Sequence, residues 1–160
     1  MILYHGSLEI VDNPEIREPN RTLDYGAGFY LTSSFEQAEK WVRNKLKGNQ
    51  TCGFVNVYEY DSSFENSLNI LDFPKASDEW VDFVMSNRMD RNFTHDFDIV
   101  KGPVANDNVY AAFAFYESGL FNKEQLIVEL KTYKLVNQIL LHTEKALPAI
   151  KFIEAKEVSK

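Results

Sequence analysis

The chain has 160 residues, 44 % hydrophobic and 26 % charged, enough for one domain with a real core and ordinary in composition for a globular protein. A formal net charge of −7 speaks against bulk binding to a phosphate backbone, which needs a basic surface. The single cysteine, Cys52, excludes an intramolecular disulfide and a cysteine-based metal site.

In chain order, Ile2-Leu3-Tyr4 reads as a short strand that stops at His5-Gly6-Ser7, an imidazole beside open backbone. Residues 8–22 carry Asn13-Pro14 and Glu18-Pro19-Asn20 with few apolar positions, an irregular loop long enough to wall a site. Arg17 and Arg21, just before the next segment, are candidates for a local basic patch, with solvated loop charge as the plain alternative. The chain is organised around Asp24-Tyr25-Gly26-Ala27-Gly28-Phe29-Tyr30-Leu31-Thr32-Ser33-Ser34, read as a glycine-loosened turn, an aromatic strand and a helix start. Ser33 with Glu36 suggests a capping box, and Phe35, Ala38, Trp41, Val42 and Leu46 follow as an apolar stripe at helical spacing. Tyr30 then stands at a strand end, where it can face a pocket, and Asp24 braces the turn.

Gly53–Tyr60 is the next expected strand, and Leu68–Phe73 another, closed by Pro74. Ser77 caps a helix carrying Trp80, Phe83 and Val84 that ends near Met89. Asp96–Gly102 reads as a strand, followed by a cap-like cluster at Asn106-Asp107-Asn108 and a helix stopped by Gly119. Asn122 with Gln125 opens a further helix, and Asn137-Gln138 opens the apolar strand Ile139-Leu140-Leu141. A short turn or helix at Thr143–Leu147 and a last strand from about Ile150 to Ala155 complete a single α+β domain over residues 1–160.

The three histidines, His5, His95 and His142, lack metalloprotease spacing, so no metal is expected. No apolar run approaches the roughly 20 residues of a bilayer-spanning helix. No leader pattern is read at the N-terminus. The expectation is a soluble, cytoplasmic chain with no membrane partner, monomeric by default.

Leu3-Tyr4-His5-Gly6-Ser7, Gly28-Phe29-Tyr30-Leu31-Thr32 with its following helix, and the strand opened by Gln138 occur in that order. Together they resemble the ADP-ribosyltransferase family, in the branch of diphtheria toxin and the poly(ADP-ribose) polymerases. The chain is most similar there to small uncharacterised bacterial proteins with a His-Tyr-Gln arrangement. The resemblance implies a split antiparallel sheet with flanking helices and NAD as co-substrate. It also implies cleavage of the nicotinamide glycosidic bond and transfer of ADP-ribose to a macromolecular acceptor. A toxin-like effector with a neutralising partner protein belongs to the same expectation. By resemblance, Gly6 main-chain groups and Ser7 bind the nicotinamide amide, His5 bonds the adenosine-side ribose, and Tyr30 stacks on the nicotinamide ring. Gly28, Phe29 and Arg21 complete the NAD-binding set.

Such chemistry passes through a sugar cation that the site must stabilise. The family's third motif is usually opened by Glu; here the position holds Gln138, which can orient a hydroxyl but cannot neutralise charge or act as a base. Asp107 is the preferred replacement carboxylate, with ordinary N-capping as its plain alternative. Glu144 is a second candidate that also reads as first-turn helix charge. The alternative function is a catalytically silent module that binds NAD or ADP-ribose. An interaction domain with a vestigial pocket is a third reading. An NAD-dependent phosphotransferase on RNA is a fourth, disfavoured by the acidic balance.

Overall fold

Apolar residues on both sides of each central strand require the sheet to be covered twice. The computed structural model describes residues 1–160, the side chain of Asp107 excepted. The strands are β1 (Ile2–Ser7), β2 (Phe29–Thr32), β3 (Cys52–Tyr60), β4 (Ile70–Asp72), β5 (Ile99–Pro103), β6 (Asn137–Leu141) and β7 (Ile150–Ser159). They form one open sheet in the order β4-β5-β6-β2-β1-β3-β7, antiparallel except between β4 and β5. The helices are α1 (Phe35–Lys45), α2 (Asp78–Met89), α3 (Asp107–Glu117) and α4 (Lys123–Leu130). The architecture is mixed α+β, and no helix among the described residues is long and apolar enough to cross a membrane.

Successive strand residues point to opposite faces. Leu3, Phe29, Leu31, Tyr58, Ile99, Ile139 and Leu141 are buried on one face, against Val11 and Ile16 of the 8–22 segment. That segment has no ladder of its own. Asn56 holds it instead: its Oδ1 accepts the Val11 N–H at 2.8 Å, and its Nδ2 donates to the Glu9 carbonyl at 3.2 Å. The other face packs Tyr25, Val100 and Leu140 against Trp80, Val84, Val109, Phe113 and Leu126 of α2–α4. Helix α1 closes a third cluster over Val55 and Val158 through Ala38 and Val42.

Several expectations need correcting. All seven strands join in one order, with β1 and β2 meeting at a single pair, Tyr4 opposite Thr32, whereas β1 pairs with β3 from Ile2 through Ser7. Because β3 holds β1 through Ser7, His5 and Gly6 lie inside the strand rather than in a turn after it. The α1 cap is Ser34, whose side chain accepts from the Gln37 N–H, and not Ser33. Ser33 is still held by the sheet, since its N–H donates to the Asn137 carbonyl, and Thr32 Oγ1 accepts the Ser34 N–H. Trp41, read as part of the apolar stripe, is 42 % exposed. The final strand runs on to Ser159 because β3 pairs with it back to Cys52.

Candidate functional site

Strands β1, β2 and β6 bring three remote sequence pieces side by side. His5 stands on β1, and its ring lies over Phe29 of β2 with centroids 4.2 Å apart. Its Nδ1 is 2.7 Å from the Tyr30 carbonyl oxygen. A carbonyl only accepts, so the His5 proton sits on Nδ1 and leaves the Nε2 lone pair unused by this bond. Burial pushes the His5 imidazole below its ordinary titration range, partly offset by that backbone bond. His5 is therefore held as a neutral ring of fixed tautomer.

His5 and Tyr30 meet through a side chain and a main-chain oxygen, not through two side chains. Phe29 and Leu31 flank Tyr30 in β2 and point to the His5 face; Tyr30 points to the helical face, packed against the α2–α4 cluster. Its hydroxyl donates to the Gly26 carbonyl at 2.6 Å and accepts the Tyr25 N–H at 3.1 Å. The sequence expectation of a tyrosine facing a pocket is thus corrected in part: the ring is half-buried, and its polar end is tied into its own glycine turn. That turn needs glycine at residue 28, where φ is +145° and a Cβ would run into the Leu141 carbonyl. At Gly6 the reason is different. An added Cβ would come within 2.6 Å of the Ala38 carbonyl oxygen, so the glycine admits α1 onto the sheet.

Gln138 opposes Thr32 of β2 and Gly102 of β5. Its Nε2 donates to the Pro103 carbonyl at 3.3 Å. The same carbonyl accepts from the Tyr25 hydroxyl at 2.8 Å, which in turn accepts from Trp80 Nε1 at 2.7 Å. One end of the Gln138 amide is therefore engaged in a buried polar cluster. Tyr30 opposes Leu140, two residues on from Gln138, so Tyr30 and Gln138 share the helical face as diagonal neighbours.

Ser7 ends β1, where its Oγ accepts the Glu9 N–H at 3.1 Å. Glu144 is exposed, in the first turn of the short 3₁₀ segment Glu144–Ala149. Asp107 lies outside the described residues as a side chain, and the cap of α3 is Asn106, whose Oδ1 accepts the Val109 N–H. Arg21 lines a cleft of about 420 Å³ between residues 18–27 and residues 87–95, whose lining includes neither His5 nor Gln138.

The sequence marks Asp24 at the turn but shows neither its partners nor the pairing of His95 with His142. Asp24 is held by Arg88 at 3.5 Å and by the Tyr110 hydroxyl at 3.2 Å. Burial raises its carboxyl above the ordinary range, against the opposing pull of Arg88 and Tyr110. Burial and the Asp24 charge push the Tyr110 phenol up to about 12. His95 and His142 stack with centroids 4.1 Å apart beside the glycine turn. His95 Nε2 donates to the Tyr25 carbonyl at 2.8 Å while its Nδ1 accepts the Phe97 N–H at 3.3 Å. Burial lowers its imidazole, the Tyr25 bond opposing. His142 Nδ1 donates to the Ala27 carbonyl at 2.6 Å. Only the tertiary fold brings these rings together.

A family model described as "Protein of unknown function (DUF3990)" matches residues 1–152. No curated protein matches the chain.

Proposed function

The chain belongs to this DUF3990 family of unknown function, and we propose that it is an NAD-dependent ADP-ribosyltransferase of the kind its motifs resemble. The observation that carries the reading is the adjacency of β1, β2 and β6, which gathers His5-Gly6-Ser7, Phe29-Tyr30 and Gln138 from three distant stretches.

The seam between β1 and β2 suits the nicotinamide end of the dinucleotide. Past Tyr4 the β2-facing side of β1 is not laddered to β2, which supports a role for main-chain groups of residues 5–7 in binding a carboxamide. The Tyr30 ring supplies an aromatic face for the pyridinium. The His5 Nε2 lone pair accepts from a ribose hydroxyl, the tautomer being set by Tyr30. Gln138, with its amide nitrogen on Pro103, offers its amide oxygen to the other ribose. When the C1′–N bond breaks, the electron pair leaves with nicotinamide and the sugar carries positive charge. Gln138 orients that sugar without neutralising it, so the rate enhancement rests on positioning more than on charge.

The same neutral amide supports a second reading, a module that binds NAD or ADP-ribose without turning it over.

Calorimetric titration of NAD into wild type, Tyr30→Phe and Tyr30→Ala tests the pocket. Phe keeps the stacking face and should bind as wild type does. Ala should lose about tenfold in affinity, since stacking on an aromatic is worth about 1–3 kcal/mol. Equal affinity in all three removes Tyr30 from the site, and absence of binding to wild type rejects both readings.

A further inference from the structure

Strand β6 sets Gln138 and Leu140 along the helical face at alternate positions, and His142 follows directly after its last residue. Tyr30 opposes Leu140, and His142 lies just past the ladder beside Gly28, whose added Cβ would sit 3.0 Å from the His142 Cα. Tyr30 thus has Gln138 as a diagonal neighbour, and the chain leaves the ladder beyond Leu141 at His142, next to the glycine turn that precedes Tyr30. His142 also lines the cleft of about 420 Å³, together with Gly26 and Ala27 of the turn that binds the Tyr30 hydroxyl. The cleft and the tyrosine are two sides of one glycine turn.

The tautomer of His142 is fixed by geometry. Its Nδ1 faces the Ala27 carbonyl, which can only accept, so the neutral ring carries its proton there and its lone pair on Nε2. That Nε2 makes no hydrogen bond among the described residues. Its stacked partner differs, for both nitrogens of His95 are occupied, by the Tyr25 carbonyl and the Phe97 N–H. Of the two rings, one is a brace and the other is a base with an open nitrogen. Facing His142 are His95 in the stack, Asp98 beyond it, and Glu18, Arg21, Asp90 and Arg91 around the cleft. The two acids and two arginines balance, so the cleft wall selects for neither a cation nor an anion.

We propose that His142 is the proton acceptor for the second substrate, a hydroxyl nucleophile that enters through this cleft. The inference rests on the transferase reading above. In the step it describes, the hydroxyl oxygen bonds to the anomeric carbon as the C1′–N bond breaks and its electron pair leaves on nicotinamide. The hydroxyl proton passes to His142 Nε2 and from there to solvent. A carboxylate acceptor arrives deprotonated and needs no base; a hydroxyl does. A positioned imidazole suits that task because its open ring nitrogen lies at a fixed atom where a proton can be taken up and passed on. The proposal gives the reaction the base that Gln138 cannot supply.

The test is nicotinamide release from NAD in water and in dilute methanol, with NAD-induced thermal stabilisation measured alongside. His142→Asn keeps an amide donor for the Ala27 carbonyl and removes the open nitrogen. It should be stabilised by NAD as wild type is, yet release nicotinamide and form methyl ADP-ribose about 100-fold more slowly. His142→Ala should regain part of its rate when imidazole is added. A wild-type rate in His142→Asn overturns the proposal, as does a His142→Ala enzyme that imidazole does not rescue. A wild type that releases no nicotinamide in either solvent overturns the transferase reading itself, and this proposal with it.

Discussion

The Tyr30 hydroxyl does structural work that any ligand role must coexist with. It satisfies the Gly26 carbonyl and the Tyr25 N–H, both at a turn that lies against Asn87 of α2 and His95. Removing it leaves two polar groups of the turn without their partner, which costs about 1–3 kcal/mol. Tyr30→Phe is therefore expected to lower the urea midpoint measurably, whatever it does to NAD affinity. An unchanged midpoint would show that the hydroxyl does not hold the turn. The sequence displays the aromatic and both glycines of this turn, and the glycine requirement at residue 28 follows from them. It does not display the destination of the hydroxyl, because that depends on a carbonyl direction set by the fold. The burial of Asp24 and the stacking of His95 on His142 are hidden for the same reason: their neighbours come from α2, α3 and the end of β6.

Helix starts were legible where one polar side chain stood alone at the boundary. Ser77 and Asn122 each accept a backbone N–H from within the first turn, and Asn122 with Gln125 forms the reciprocal box. At α3 the sequence offers the cluster Asn106-Asp107-Asn108 without choosing among its members, and the cap is Asn106. At α1 two serines compete, and the sheet decides between them by holding Ser33 on Asn137. Ser34→Ala should cost about 1 kcal/mol in chemical denaturation and Ser33→Ala only a few tenths; the reverse order would contradict the observed cap. The strands around the glycine turn also confer a pH dependence. Burial lowers His5 and His95 from an ordinary value of 6.5. Below that value the unfolded chain takes up protons that the folded chain refuses, so stability falls as pH drops, by at most about 1.4 kcal/mol per pH unit for each ring. The Asp98 carboxyl is depressed by the Asn69 N–H, and its contribution is lost only below its ordinary 3.8. Raised Asp24 acts in the opposite sense above 3.8, where the folded chain holds the proton longer. Urea midpoints between pH 7 and 5 should decline in wild type and decline less in His5→Asn; a flat wild-type profile would contradict the buried neutral histidines.

At the scale of the molecule, strand and helix order were readable because alternation and helical stripes record which side faces the core. The joining of all seven strands into one sheet was not, since pairing between remote strands leaves no local mark. Of the motif residues, His5, Gly6, Phe29, Tyr30 and Gln138 come onto neighbouring strands, whereas Arg21 belongs to the cleft across the glycine turn. The transferase reading depends on that gathering of motifs, and catalysis separates it from the silent-binder reading. The most direct measurement is chromatographic detection of nicotinamide and ADP-ribose from NAD, with wild type run beside His5→Ala and Gln138→Ala. Release by wild type is expected, and its loss in both variants while they remain folded. Stabilisation by NAD with no release from wild type in water or methanol would contradict transfer and leave a binding module in its place.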